Sequence, residues 1–337
     1  MEEESVIFVR THLAPDGAAC LRFIPSEILE VKSTPAEVSY LPGRDFNWIE
    51  GTNIISLTKT SRIRAWGPSD LRREKMSQDF DCSHRDGGDE IFYAAGREYH
   101  DMQVSVTSRH AKDAWKCPLP LYAGDLLSGS IGKLRRGEPL KLVVLGDSIS
   151  EGANSSAAYP APPFQPGYAE LLTEKLRNTY RSSIILENLS KGGMASNWGC
   201  VTARAVADMR PDLVILAFGM NDAPLFSEEI SRENILSIID TVKQGSPQVE
   251  FILVSPMLSN PDWVSIDHSS LFRYRDMLEG VRGPGCALAD ITSIWRYLLE
   301  VKPFCDMTGN GVNHPNDFGY RIYAHALSSL LINPEVS

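Results

Sequence analysis

In the second half of the chain, short uninterrupted apolar runs alternate with stretches whose apolar residues recur at helical spacing. Residues 142–145, 184–186, 213–218 and 251–254 are runs of the first kind, and 287–290 is one that ends in Asp290, as expected for strands covered on both faces. Between the first two, Tyr168, Leu171, Leu172 and Leu176 fall at i, i+3, i+4 and i+8, which predicts one buried helical face. Further helices are predicted over 201–209, 228–243, 270–281, 294–299 and 320–331. Strands alternating with crossover helices imply a parallel sheet in a three-layer α/β/α domain. The first 110 or so residues have another texture. Candidate strands at 6–9, 55–57, 91–93 and 102–106 are separated by turn signals, PDG at 15–17, PGRD at 42–45 and DGGD at 86–89. They predict a smaller antiparallel β module of sandwich or jelly-roll type. Residues 115–139 mix Pro, Gly and charge and read as a connector. The predicted division is therefore an N-terminal β-rich domain over 1–114, a linker over 115–139 and an α/β domain over 140–337.

Composition narrows the partners. Of 337 residues, 43% are hydrophobic and 23% charged, so the bulk of the chain folds rather than staying disordered. Asp and Glu outnumber Lys and Arg by 43 to 33, a formal net charge of -10, which excludes nucleic acid as an expected partner. The six cysteines are scattered without a CxxC pair; free thiols are expected, and no metal site. The start, MEEESVIFV, is acidic where a secretory leader would be basic. No run is long and apolar enough for a membrane helix. A cytoplasmic, membrane-free protein is the expectation, with a previously removed leader as the alternative.

The chemistry gathers in four segments. GDSIS (146–150), ENLSKGG (187–193) and FGMND (218–222) each follow a predicted strand, and NGVNHP (310–315) lies in a late loop. In open parallel sheets ligands bind beyond the carboxyl ends of the strands, so these segments converge on one edge. Each alone has an ordinary alternative: a helix cap for Ser148 or Asn221, a relaxed turn for Gly192 or Gly193, a loop histidine for His314. Together they resemble the blocks of the SGNH (GDSL-like) hydrolase family, with Ser148, Gly193, Asn221 and His314 in the four named places. The resemblance covers roughly residues 140–332 and implies a flavodoxin-like α/β/α fold and ester hydrolysis through an acyl-enzyme. With the N-terminal β module, it also suggests the carbohydrate O-acetylesterases.

The implied roles have a physical basis. A serine hydroxyl needs a base, here His314, and the oxyanion needs donors, here the Ser148 and Gly193 N–H groups and the Asn221 amide. Asp147 and Asp222 read as structural partners of the loops. Trp198 is expected to pack, with stacking on a sugar as its alternative, and Phe46, Trp48, Phe92, Tyr93 and Tyr99 fit either a core or a glycan surface. The family usually carries an Asp three residues before the histidine, where this chain has Gly311. The candidates for orienting the imidazole are Asp306, a backbone carbonyl completing a Ser–His dyad, or another group such as Asp317. The expected activity is removal of a small acyl group, acetyl first, from a small-molecule or oligosaccharide ester, without cofactor or metal. The alternatives are a lipase or thioesterase for longer acyl chains and a catalytically weak carbohydrate-binding protein. Oligomeric state stays open.

Overall fold

The computed structural model describes residues 1–74, 81–117 and 119–334. The N-terminal region contains β1 (Glu4–Val6), β2 (Ala18–Cys20), β3 (Glu27–Ser33), β4 (Phe46–Trp48), β5 (Ile54–Leu57), β6 (Arg72–Arg73), β7 (Glu90–Ile91), the short helix α1 (Glu98–Met102) and β8 (Val104–Arg109). Two antiparallel three-stranded sheets, ordered β1-β8-β3 and β2-β5-β4, share a core. Val6, Val31, Val104 and Val106 enter it from the first, and Ala19, Phe46, Ile55 and Leu57 from the second. Phe46, Phe92 and Tyr99 are buried, so these aromatics are packing residues rather than a glycan platform.

The following segment differs from the connector expected over 115–139, of which residue 118 lies outside the described residues. It contains α2 (Ser128–Arg135), and Leu127, Ile131 and Leu134 are buried in the largest core cluster. The remainder runs β9 (Leu140–Gly146), α3 (Ser148–Glu151), α4 (Tyr168–Tyr180), β10 (Ile184–Asn188), α5 (Ser196–Asp208), β11 (Leu213–Ala217), α6 (Glu228–Gly245), β12 (Glu250–Val254), α7 (His268–Glu279), β13 (Cys286–Ala289), α8 (Ile291–Leu299) and α9 (Asp317–Leu331). The five strands form a parallel sheet ordered β10-β9-β11-β12-β13, the flavodoxin-like order. The alternation along each strand builds two cores. Leu142, Val144, Leu213, Ile215, Ile252 and Val254 meet α2, α4, α8 and α9 on one face. Val143, Leu145, Val214, Leu216, Phe251 and Leu253 meet α5, α6 and α7 on the other. Each such side chain, once buried, stabilises the fold by about 1.5–3 kcal/mol. Among the described residues no helix is long and apolar enough to cross a membrane.

The two regions are joined by buried polar contacts. Lys302 lies between Glu4, at 3.0 Å, and Asp306, at 3.1 Å, and the three side chains are almost wholly removed from solvent. Asp306 also accepts the Ile7 N–H at 2.7 Å. Ile91 and Cys82 of the N-terminal region belong to the same apolar cluster as α8 and α9.

Candidate active site

β9 delivers Ser148. Gly146 closes the strand, where a Cβ would stand 2.6 Å from the Ala217 carbonyl oxygen of β11, so only glycine lets the strands approach this closely. Asp147 then caps α3 by accepting the Ile149 N–H at 3.0 Å. Burial, reinforced by the neighbouring Asp222 charge, raises its carboxyl to about 7. Ser148 stands at the first position of this one-turn helix, where a backbone N–H has no intrahelical acceptor.

The hydroxyl of Ser148 donates to His314 Nε2 at 2.8 Å, across 166 positions of sequence. The histidine loop is wound around one side chain. Asn310 Oδ1 accepts the N–H groups of Val312 and Asn313 at 3.0 Å and of His314 at 3.1 Å. Thr308 Oγ1 donates to the His314 carbonyl at 3.0 Å. Burial pushes the imidazole of His314, a half-buried residue by its overall exposure, down to about 4. His314 is therefore neutral, and competent as a base, from mildly acidic pH upward.

The segments that carry the expected oxyanion donors are tied to neighbouring loops by hydrogen bonds. Leu189 N–H donates to the Val144 carbonyl and Lys191 N–H to that of Gly146, which carries the β10–β9 pairing on to the glycine pair. Gly192 lies against Ser148, and its N–H is occupied by Glu151 Oε2 at 2.9 Å. Gly193, the glycine the resemblance points to, has φ of +74° and a backbone N–H with no acceptor among the described residues. Asn221 follows β11 and donates one amide proton to the Met194 carbonyl at 3.0 Å. Asp222 is buried and accepts the Ser196 N–H with both oxygens, at 3.1 and 3.2 Å. It thereby holds the start of α5. Trp198 is half-buried against the α5–α6 core, in keeping with a packing role.

Asp306 is not brought to the imidazole. One of its oxygens is taken by Ile7 N–H and the other by Lys302, so the carboxylate works at the junction of the two regions. Asp317 accepts the Ser156 N–H at 2.8 Å, and neither imidazole nitrogen bonds to it. His314 Nδ1 instead donates to Asn154 Oδ1 at 2.6 Å. Asn154 escaped the sequence reading because it belongs to no motif; its φ of +62°, in a region Asn tolerates better than most residues, leaves no pattern in the chain. Among the described residues no group of His, Cys, Asp or Glu could hold a metal ion.

The profile of the GDSL-like lipase/acylhydrolase family matches residues 144–322, more than half of the chain and the whole of this site. The chain belongs to that family. Similar solved structures include a two-domain esterase (CEX) active on acetylated mannans, at 20% identity over 63% of this chain and 53% of that one, with a TM-score of 0.50. TesA has 20% identity over 58% of this chain and 99% of its own, TM-score 0.45. The lipase/acylhydrolase from Enterococcus faecalis has 19% over 56% and 93%, TM-score 0.45. The match spans about half the length of the two-domain esterase, and at such identities the likeness is one of fold. A comparison with curated protein sequences finds no significant match.

Proposed function

We propose that the protein is a serine esterase that removes a small acyl group, acetyl first, from an alcohol of a carbohydrate. The reading rests on the 2.8 Å hydrogen bond from Ser148 to a neutral His314, beside the Ser148 and Gly193 N–H groups and the Asn221 amide. His314 Nε2 takes the hydroxyl proton as Ser148 Oγ bonds to the ester carbonyl carbon. The carbonyl π electrons move to oxygen, where the three donors meet the charge. Collapse breaks the bond to the alcohol, which leaves with the proton returned by His314. Water then repeats the sequence on the acyl-enzyme and releases the acid. The substrate class is suggested by the similar two-domain esterase active on acetylated mannans.

Ser148→Ala is expected to lower kcat on p-nitrophenyl acetate by on the order of 10⁴-fold or more while the protein stays folded. Retention of most activity refutes the assignment. Rates on p-nitrophenyl esters of increasing chain length should fall sharply past the short acyl groups, through steric exclusion. A rate that rises with chain length overturns the acetyl assignment. Acetate release from acetylated oligosaccharides identifies the sugar.

A further inference from the structure

Gly311 stands where the family's usual carboxylate would be, and the structure supplies a steric reason. Its φ is +93°, and a Cβ there would overlap the Phe92 carbonyl oxygen and lie 2.7 Å from the Tyr99 hydroxyl. Both neighbours come from the N-terminal region, whose segment 92–95 closes over the histidine loop. Ala94 N–H donates to the Asn310 carbonyl at 3.1 Å. The next residue, Ala95, offers its carbonyl to the Asn154 amide nitrogen at 3.4 Å.

We propose that Asn154 positions the imidazole of His314 in place of the missing carboxylate, and that the N-terminal region holds this amide in register through the Ala95 carbonyl. The inference rests on the serine-esterase reading. An amide nitrogen only donates and a backbone carbonyl only accepts, so the contact with Ala95 turns Oδ1 towards His314. An amide oxygen only accepts, so Nδ1 carries the proton and Nε2 presents its lone pair to Ser148. The amide thus selects the productive tautomer as a carboxylate does. It lacks the negative charge that stabilises the imidazolium.

The fold clamps Asn154 from several sides. Gly309 passes so close that a Cβ would stand 2.6 Å from the Asn154 Cβ. Tyr320 donates to the Ala153 carbonyl at 2.6 Å, and Asp317 accepts the Ser156 N–H. The titratable groups on the surrounding elements are engaged elsewhere: Asp147 with Ile149 N–H, Glu151 with Gly192 N–H, Tyr99 with the Phe92 carbonyl, His100 with that of Pro162 and Tyr159 with that of Asn154. Burial is the sole cause acting on the imidazole. The enzyme then keeps a usable base in acid, at a cost in imidazolium stabilisation.

The test measures kcat and KM on p-nitrophenyl acetate with the full chain, as a function of pH. Asn154→Gly removes the amide yet suits the left-handed backbone; kcat should fall by on the order of 10²-fold with KM within about 2-fold. The near-isosteric Asn154→Asp should keep turnover near neutrality and move the acidic limb of kcat/KM upward by about 1 pH unit or more, because an adjacent negative charge favours the imidazolium. A Gly variant with wild-type kcat, or an Asp variant whose acidic limb does not move, overturns the proposal, and the Asp variant decides if the Gly variant does not fold. Ser148→Ala separates the two levels: if it stays active, the esterase reading itself fails. If it is dead while Asn154→Gly turns over normally, only the role of Asn154 fails.

Discussion

Asn221 carries two amide protons, and one of them is already committed to the Met194 carbonyl. That bond fixes the plane of the amide before substrate arrives, and in the proposed mechanism such preorganisation is what makes an oxyanion donor effective. Asn221→Ala is expected to lower kcat by about 10²–10³-fold with little change in KM. Steady-state kinetics on a short-chain ester check this, and a kcat within about 3-fold of wild type would mean that the amide does not meet the oxyanion. Asp147 and Asp222 act through backbone: the first accepts the Ile149 N–H and the second the Ser196 N–H, each at the start of a helix.

At the scale of elements, the strands of the parallel sheet were legible because an apolar run buried on both faces has few other homes. The runs at 142–145 and 251–254 fall inside β9 and β12. Helix starts were less legible. α5 begins at Ser196, ahead of the predicted 201, because its first turn is held by the carboxylate of Asp222 from another loop. α2 was missed altogether, since SGSIGKLR carries two glycines and two serines and has weak intrinsic helix preference. Its N-terminal donors are satisfied by Glu250 of β12, which accepts Gly129 N–H at 2.9 Å and Ser130 N–H at 2.7 Å. Glu250→Ala is expected to destabilise the protein by about 1–3 kcal/mol, since it strands two donors at a helix terminus, the Ser130 N–H among them buried. Urea denaturation measures it, and an unchanged midpoint with unchanged slope refutes the cap. β3 escaped for the opposite reason: EILEVKS places charge on exposed positions of an edge strand, which hides its alternation.

At the scale of the whole molecule, the N-terminal region and the hydrolase fold are tied by the Lys302, Glu4 and Asp306 cluster and by Phe92 and Tyr99 packed on the histidine loop. Glu4→Ala would leave the buried Lys302 ammonium without one of its two carboxylate partners, and breaking a buried pair typically costs about 3–5 kcal/mol. The intact chain is expected to unfold in one calorimetric transition, with active-site loss tracking it. Two resolved transitions would mean that the regions fold independently. By itself the sequence determined the α/β class, the strand-borne segments and the residues Ser148, Gly193, Asn221 and His314 that resemble the family's four blocks. Those signals are local, written in periodicity and in short loops after strands. Only the tertiary structure decided what meets the far side of the imidazole. That choice depends on which chain segment fills the space beside Gly311, and there Phe92 and Tyr99 exclude a side chain while Asn154, 160 positions before His314, arrives through a loop whose course no local pattern specifies.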